Sequence, residues 1–383
     1  MVIVLPGQAP ISPGALADLL STPEIRIDQL TGLRAILAPG RADRPHGFEA
    51  KHGEEKGAEG CPFCEGQEGR TPPEVFAVRP GGGEADEPGW TTRVVPNLYP
   101  ALGSTPSRGC LVAEGSHEEP RGEGTGATSG EAGAFSGAGD PLLASRRAGE
   151  PDLFASRPAA GGHEVIVNAP EHVTAMAELS EERFAGAVGT WRERMRAHGE
   201  AAYVQVVVNE GAGAGASLPH THAQLYALPF VPAALARERE RAGAYAERTA
   251  GGGLLADVLI EEVRRRERLV AIDDEAALIC PWASRTPYEL RVVPRAPAAR
   301  FEQDEGGAAM IRIALRLLAE RFDGPPELNL WVVTAPHGAE RFHWHVDIAP
   351  RLSVKAGFEL GTGVDINVYA PERAAAELRD ALG

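Results

Sequence analysis

NEGAGAGASLPHTHAQ, residues Asn209 to Gln224, joins a glycine-rich loop to two histidines spaced i, i+2 and a glutamine two positions further on. The valine-rich run Val204 to Val208 precedes it, and Leu225, Tyr226, Ala227 and Leu228 follow. Two β-prone segments around a glycine loop predict a hairpin. Strand side chains alternate faces, so His220, His222 and Gln224 are expected on one face. Gly211 and Gly215 belong to a loop whose backbone N–H groups are expected to form an anion cradle, with Asn209 and Ser217 at its ends. A phosphate held there would lie against an imidazole nucleophile. The stretch therefore reads as a centre for phosphoryl or nucleotidyl chemistry. Two histidines on a strand also suit a surface pair or a metal clip. A cupin-type metal site calls for a carboxylate shortly beyond the second histidine, and here the next acid is the more distant Glu238. The glycine loop and Gln224 favour catalysis.

The chain has 383 residues, enough for two ordinary domains, and two hydrophobic cores are expected. It carries 38 basic against 54 acidic residues, a net charge of −16, which argues against wrapping nucleic acid. Phosphate recognition is therefore expected to be local. Two of the four cysteines form CPFC, Cys61 and Cys64. In a cysteine-poor chain this pattern points to metal rather than to a disulfide framework, with a simple turn as the bland reading. Cys110 and Cys280 read as bystanders. No apolar run reaches the length of a membrane span, and the N-terminus lacks a basic leader, so a cytoplasmic protein is expected.

Residues 114–161 are rich in Gly, Ala, Ser and Glu and read as a flexible insertion. A longer echo organises the rest. HEVIVNAPEH (His163 to His172), a helical stretch from Ser180 to His198, YVQVVVN and HTH have a later counterpart. That counterpart is YELRVVPRAP (Tyr288 to Pro297), a helix from Gly307 to Phe322, LNLWVVT (Leu328 to Thr334) and HWH (His343 to His345). In the first helix Ser180 is the expected N-cap, and Phe184, Val188 and Trp191 share a face; in the second Ile311, Ala314, Leu317 and Leu318 do so. Two copies of an α+β unit are implied, 1–235 and 236–383. Only the first pairs its histidines with a glycine loop and a glutamine, so it should carry the chemistry.

GASLPHTHAQ resembles the HxHxQ pattern of the galactose-1-phosphate uridylyltransferase family, the transferase branch of the histidine-triad superfamily. The resemblance extends to CPFC, RVVPNLYPAL (Arg93 to Leu102), HEVIVNAPEH, the glycine loop and GFELGTGVDIN (Gly357 to Asn367). It implies tandem histidine-triad domains, each an antiparallel sheet with packed helices, that dimerise and move a nucleoside monophosphate between sugar phosphates through a nucleotidyl-histidine. His222 is then the nucleophile, with Ser217 and Gln224 as donors to the phosphoryl oxygens. Hydrolases of the superfamily place a third histidine where this chain has Gln224. An amide donates hydrogen bonds but delivers no proton, which favours transfer over hydrolysis. The resemblance further implies nucleotide contacts from Asn97, Asn209, Gly211 and Gly215. For Asn97 a turn-forming role is the alternative.

By the same resemblance Cys61, Cys64, His172 and His220 form a structural zinc site, a normal tetrahedral donor set, with His163 as a lower-ranked candidate ligand. A second site, for zinc or iron, is implied at Glu238, His337, His343 and His345. The charged helix carrying Glu238 also reads as a solvated face. Phe358, Gly361 and Thr362 fall in the segment implied to meet the sugar phosphate. There the family's best-known members carry a tyrosine and a glutamate, whereas Thr362 and Gly363 stand here, as in the branch that includes a plant ADP-glucose phosphorylase. The expected function is transfer from UDP-glucose to a hexose 1-phosphate. ADP-sugar phosphorolysis and a non-catalytic, zinc-stabilised nucleotide-binding protein are the alternatives.

Overall fold

The computed structural model describes residues 24–38, 57–103 and 159–382. Most of the stretch read as an insertion, residues 114–158, lies outside them, as does Cys110.

The glycine-loop hairpin forms as expected. Strand β6 (Tyr203–Glu210) pairs antiparallel with β7 (His222–Leu228), and β7 pairs on its other side with β5 (Gly162–Val167). Helix α1 (Glu181–Ala197) starts behind Ser180, whose side chain accepts the Arg183 N–H at 3.2 Å. Phe184, Val188 and Trp191 are buried, so the 3.6-residue pattern placed its apolar face correctly. Later in the chain come β8 (Leu269–Ile272), β9 (Ala276–Ile279) and β10 (Leu290–Pro294). Helix α4 (Ala308–Arg321) follows, then β11 (Leu328–Val333) and β12 (His345–Pro350). Between the two groups lie α2 (Ala233–Arg248) and α3 (Leu254–Arg265).

The antiparallel strands expected of the two copies run together edge to edge. With β3 (Phe76–Val78) and β4 (Thr92–Pro96), these strands make one ten-stranded sheet in the order β3-β4-β5-β7-β6-β11-β12-β10-β9-β8. The joint is the antiparallel pair β6–β11, where Asn209 faces Asn329 and Val207 faces Trp331. Edge-to-edge pairing satisfies the N–H and C=O groups that two separate sheets would each leave unpaired. One core cluster then runs under both halves, from Ile166, Val206 and Leu225 to Leu290, Leu330 and Val346, with Trp191 of α1 and Leu315 of α4 packed on it.

The opposite face carries more polar groups. Register places Gln224, Val207, Trp331, Asp347 and Arg291 in one row across five strands. A second, three-stranded sheet contains β1 (Glu24–Ile27), β2 (Arg34–Leu37) and β13 (Asp365–Asn367). The chain ends in α5 (Gly357–Thr362) and α6 (Pro371–Asp380).

A candidate active site beside a metal cluster

Cys61, Cys64, His172 and His220, drawn from three separate segments, place one ligand atom each within 4.8 Å of one another. The Cys64 thiol lies 3.4 Å from His172 Nδ1, and both thiols lie 3.6 Å from His220 Nδ1. A tetrahedral zinc with Zn–S of about 2.3 Å and Zn–N of about 2.05 Å sets sulfur and nitrogen roughly 3.5–3.6 Å apart, so the spacing fits that ion. His220 Nε2 lies 2.8 Å from the Ala169 carbonyl and donates to it, which leaves Nδ1 bare toward the thiols. Burial pushes the His220 pKa down to about 4, so the ring is neutral at pH 7 and ready to ligate. Burial and the neighbouring Cys61 push the Cys64 thiol up to about 11, and a divalent cation supplies the charge that would hold it as thiolate. His163, the competing ligand, stands elsewhere, with both ring nitrogens facing Asn97, Ala101 and Gln224.

β7 begins at His222, so His220 lies two residues ahead of the strand and not on its face. The separation is useful. His220 turns its ring to the cluster and its carbonyl to His222, whose Nδ1 lies 2.7 Å away. Nδ1–H donates to that oxygen, and the lone pair of His222 is left on Nε2. Burial lowers the His222 pKa, which keeps the ring neutral and nucleophilic. Phe63, inside CPFC, meets the His222 ring edge to face, with ring centroids 5.2 Å apart and planes at 62°. Sequence reasoning missed Phe63, although its place between two ligand cysteines was a usable signal.

Gln224 lies on β7 two residues on, and its Oε1 lies 2.7 Å from the Tyr226 hydroxyl and 3.0 Å from His163 Nε2. Asn97 also meets His163 Nε2, at 3.1 Å, and its Oδ1 accepts the Tyr99 N–H, a turn contact. Asn209 Oδ1 accepts from Asn329 Nδ2 at 2.8 Å, and the same Nδ2 lies 2.8 Å from the Ala214 carbonyl. Asn209 thus ties the loop to the second half.

The glycine loop departs from the expected open cradle. The N–H groups of Ala214, Gly215 and Ala216 bond to loop carbonyls, and Gly213 N–H donates to Glu327 Oε1 at 2.9 Å. Gly211 and Gly215 take φ of 85° and 91°, the left-handed region open to glycine. A Cβ on Gly211 or Gly213 would overlap the Glu327 side chain. The glycines therefore serve close approach of Glu327 as well as turning. Ser217 is exposed on the segment leading to His220.

The four donors expected for a second metal do not converge as the first set does. His337 is exposed and bonds through Nδ1 to the Gly199 carbonyl, while His343 Nε2 bonds to the Pro294 carbonyl at 2.9 Å. His345 stands between two carboxylates, 3.9 Å from Glu238 and 3.9 Å from Asp347. Among the described residues, Cys61, Cys64, His172 and His220 alone converge as a group of three or more donors. The second copy nevertheless repeats the first in outline. His343 bonds a carbonyl through Nε2 as His220 does, and His345 Nδ1 faces the His343 carbonyl at 3.5 Å. Among the described residues no cysteine pair stands opposite, and His343 Nδ1 is buried without a hydrogen-bond partner. Asp347 occupies the place of Gln224 and is clamped by Arg291 at 2.6 and 2.9 Å. Phe358, Gly361 and Thr362 lie exposed on α5, where the Thr362 hydroxyl bonds the Phe358 carbonyl and closes that helix.

Residues 134–232 match the family described as galactose-1-phosphate uridyl transferase, N-terminal domain, a span that holds the hairpin, His222 and Gln224. Over that span the chain is similar to the galactose-1-phosphate uridylyltransferase family. It is 28% identical over 378 residues to an ADP-glucose phosphorylase of Arabidopsis thaliana, covering 94% of this chain and 93% of that one. A galactose-1-phosphate uridylyltransferase of Thermotoga maritima is 28% identical over 249 residues, 59% of this chain and 76% of the relative. The crystal structure of the Arabidopsis ADP-glucose phosphorylase with bound ADP-glucose superposes with a TM-score of 0.70 at 25% identity, over 94% and 99% of the two chains.

Proposed function

We propose that this protein transfers a nucleoside monophosphate from a nucleotide sugar to a phosphate acceptor through a covalent nucleotidyl-histidine on His222. The observation that carries this reading is the 2.7 Å contact from His222 Nδ1 to the His220 carbonyl, which leaves Nε2 as the free lone pair of a buried, neutral imidazole. Nε2 attacks the α-phosphorus, a P–N bond forms, and the P–O bond to the sugar phosphate breaks with the electron pair leaving on that oxygen. The leaving phosphate needs no proton. Positive charge on the nucleotidyl-imidazole is met by the Nδ1–H bond to the carbonyl. In the second half-reaction an oxygen of the acceptor phosphate attacks the same phosphorus and the P–N bond breaks, restoring the neutral ring. Gln224 offers an amide and no transferable proton, which suits this two-step exchange over hydrolysis. A Zn²⁺ held by Cys61, Cys64, His172 and His220 supplies rigidity to the segment that presents His222.

Two acceptor readings remain within this mechanism. The UDP-glucose and hexose 1-phosphate reading follows the family likeness of the hairpin. Phosphorolysis of an ADP-sugar is favoured by the likeness to the Arabidopsis ADP-glucose phosphorylase, which runs nearly end to end in both chains. The reading includes two tandem copies, 1–235 and 236–383, in a cytoplasmic homodimer. The test is intact mass after mixing the protein with ADP-glucose or UDP-glucose. An increment of one AMP or one UMP identifies the donor, and its discharge by inorganic phosphate or by galactose 1-phosphate identifies the acceptor. No increment with either sugar nucleotide refutes the mechanism.

A further inference from the structure

The Gln224 side-chain oxygen sits between two donors, His163 Nε2–H and the Tyr226 hydroxyl, which decide which end of the amide is left over. We propose that His163 is a positioning residue for nucleotidyl transfer: it fixes the Gln224 amide with its oxygen turned inward, so that the nitrogen is left to donate to the phosphoryl group. This rests on the reading of His222 as the nucleophile.

The argument starts from a group that can only donate. The main-chain N–H of Ala101 lies 3.0 Å from His163 Nδ1, so Nδ1 holds a lone pair. A neutral imidazole keeps one proton, which is then on Nε2. Nε2 has two polar neighbours, Gln224 Oε1 at 3.0 Å and Asn97 Nδ2 at 3.1 Å. The Asn97 amide is itself fixed, because the Tyr99 N–H donates to its Oδ1 at 2.8 Å. Asn97 Nδ2 therefore has only hydrogens to offer and cannot accept from Nε2–H, so its approach is a contact of two donors and the acceptor for Nε2–H is the Gln224 oxygen.

The Tyr226 hydroxyl donates to the same oxygen at 2.7 Å. A carboxamide oxygen has two lone pairs, so these two donors saturate it. Turning the amide would set its NH₂ against Nε2–H and lose both bonds. The His163 ring also stacks on Tyr226, with centroids 4.1 Å apart and planes 26° apart. Register supports this, since His163 and Tyr226 are direct cross-strand partners of β5 and β7. A phosphoryl group presents acceptors alone, and a flipped amide would present it with an oxygen. His163 thus decides whether Gln224 attracts or repels.

His163→Phe keeps an aromatic ring over Tyr226 and removes the Nε2–H. Rates of nucleotidyl-adduct formation, read by intact mass, are compared for the parent, His163→Phe, Gln224→Ala and the double variant. His163→Phe should slow the adduct tenfold to a hundredfold, the usual range for losing a residue that orients a functional group. The double variant should be no slower than Gln224→Ala, and His163→Gln, whose amide N–H can replace the lost donor, should recover part of the rate. Melting temperature should stay near that of the parent. Unchanged rates in His163→Phe, or a loss that adds fully to that of Gln224→Ala, would overturn the proposal. A second readout needs no nucleophile: calorimetric affinity for AMP and UMP should fall about tenfold in His163→Phe, again without adding to Gln224→Ala. An unchanged affinity overturns the positioning role even if no adduct forms in any variant, and absence of adduct in the parent refutes the His222 reading alone.

Discussion

The His220 carbonyl accepts the Nδ1 proton of His222 at 2.7 Å, while the ring of the same His220 stands 3.6 Å from the thiols of Cys61 and Cys64. One residue thus joins the four-donor cluster to the proposed nucleophile through a single peptide. A change at the cluster that moves His220 also moves the oxygen that holds the His222 tautomer. Phe63 adds a second link, since the loop that bears both cysteines also presses its ring edge on His222.

Cys64→Ser should therefore lose stoichiometric zinc and melt at lower temperature, with adduct formation falling as a consequence. Elemental analysis, a melting curve and intact mass check the three effects. A variant that loses zinc yet forms adduct at the parental rate would separate the cluster from the nucleophile. Cys280→Ser, which the sequence suggested as a silent control, is not one: Cys280 is fully buried in the main core. Its hydroxyl would be buried among apolar groups, so that variant should melt lower while keeping its zinc.

His222→Asn should abolish adduct formation and leave zinc content intact, because it removes Nε2 and no donor of the cluster. His222→Gly should regain transfer when imidazole is added, the small molecule filling the site as a free nucleophile. Parental adduct levels in His222→Asn would place the nucleophile elsewhere.

The hairpin and both amphipathic helices were legible in the sequence because each is written in local spacing, alternation around a glycine loop and a 3.6-residue stripe behind Ser180; CPFC and the HxH are local too, but His172 joined them only through the family resemblance. The continuous sheet was not. The pairing of Asn209 with Asn329 joins segments whose local patterns look alike whether their edges are free or paired. The partner of the glycine loop was hidden for the same reason, since Glu327 lies 114 residues from Gly213. His163 was visible as a histidine, but its role depends on which nitrogen meets the Ala101 N–H, a fact of three-dimensional register.

Glu210 predicts a pH effect. Its carboxyl is buried, accepts the Met176 N–H at 2.6 Å with one oxygen, and leaves the other without a partner. Burial pushes its pKa up to about 7. A carboxyl raised above its unfolded value of about 4.3 contributes stability that is fully present below pH 4.3 and lost as pH rises through about 7. Glu210→Gln keeps the acceptor oxygen and removes the titration. The stability of the variant should therefore fall less than that of the parent between pH 5 and 8, with a relative gain of roughly 1–3 kcal/mol at pH 8. Parallel pH profiles for the two proteins in urea titrations would show that Glu210 ionises normally.

Glu327 and Gly213 predict a coupling across the two halves of the sheet. Glu327 is buried just ahead of β11, the strand that joins the second half to the first, and its Oε1 takes the Gly213 N–H at 2.9 Å. A Cβ on Gly213 would overlap Oε2 of the same carboxylate. Gly213 is not among the residues with positive φ, so alanine there meets no backbone strain and its cost is steric. Gly213→Ala should thus destabilise by about 1–3 kcal/mol, the usual penalty for overpacking. In a Glu327→Ala background the obstacle is gone, and the same substitution should cost less than about 0.5 kcal/mol, the range in which uncoupled sites add. Urea denaturation of the four proteins completes the cycle. If the two changes add, the carboxylate yields freely to the new methyl group and the glycine is not there for Glu327. If they do not, the loop ahead of His220 and His222 is held in place by a residue of the other half, and Glu327→Ala alone should slow adduct formation without removing zinc.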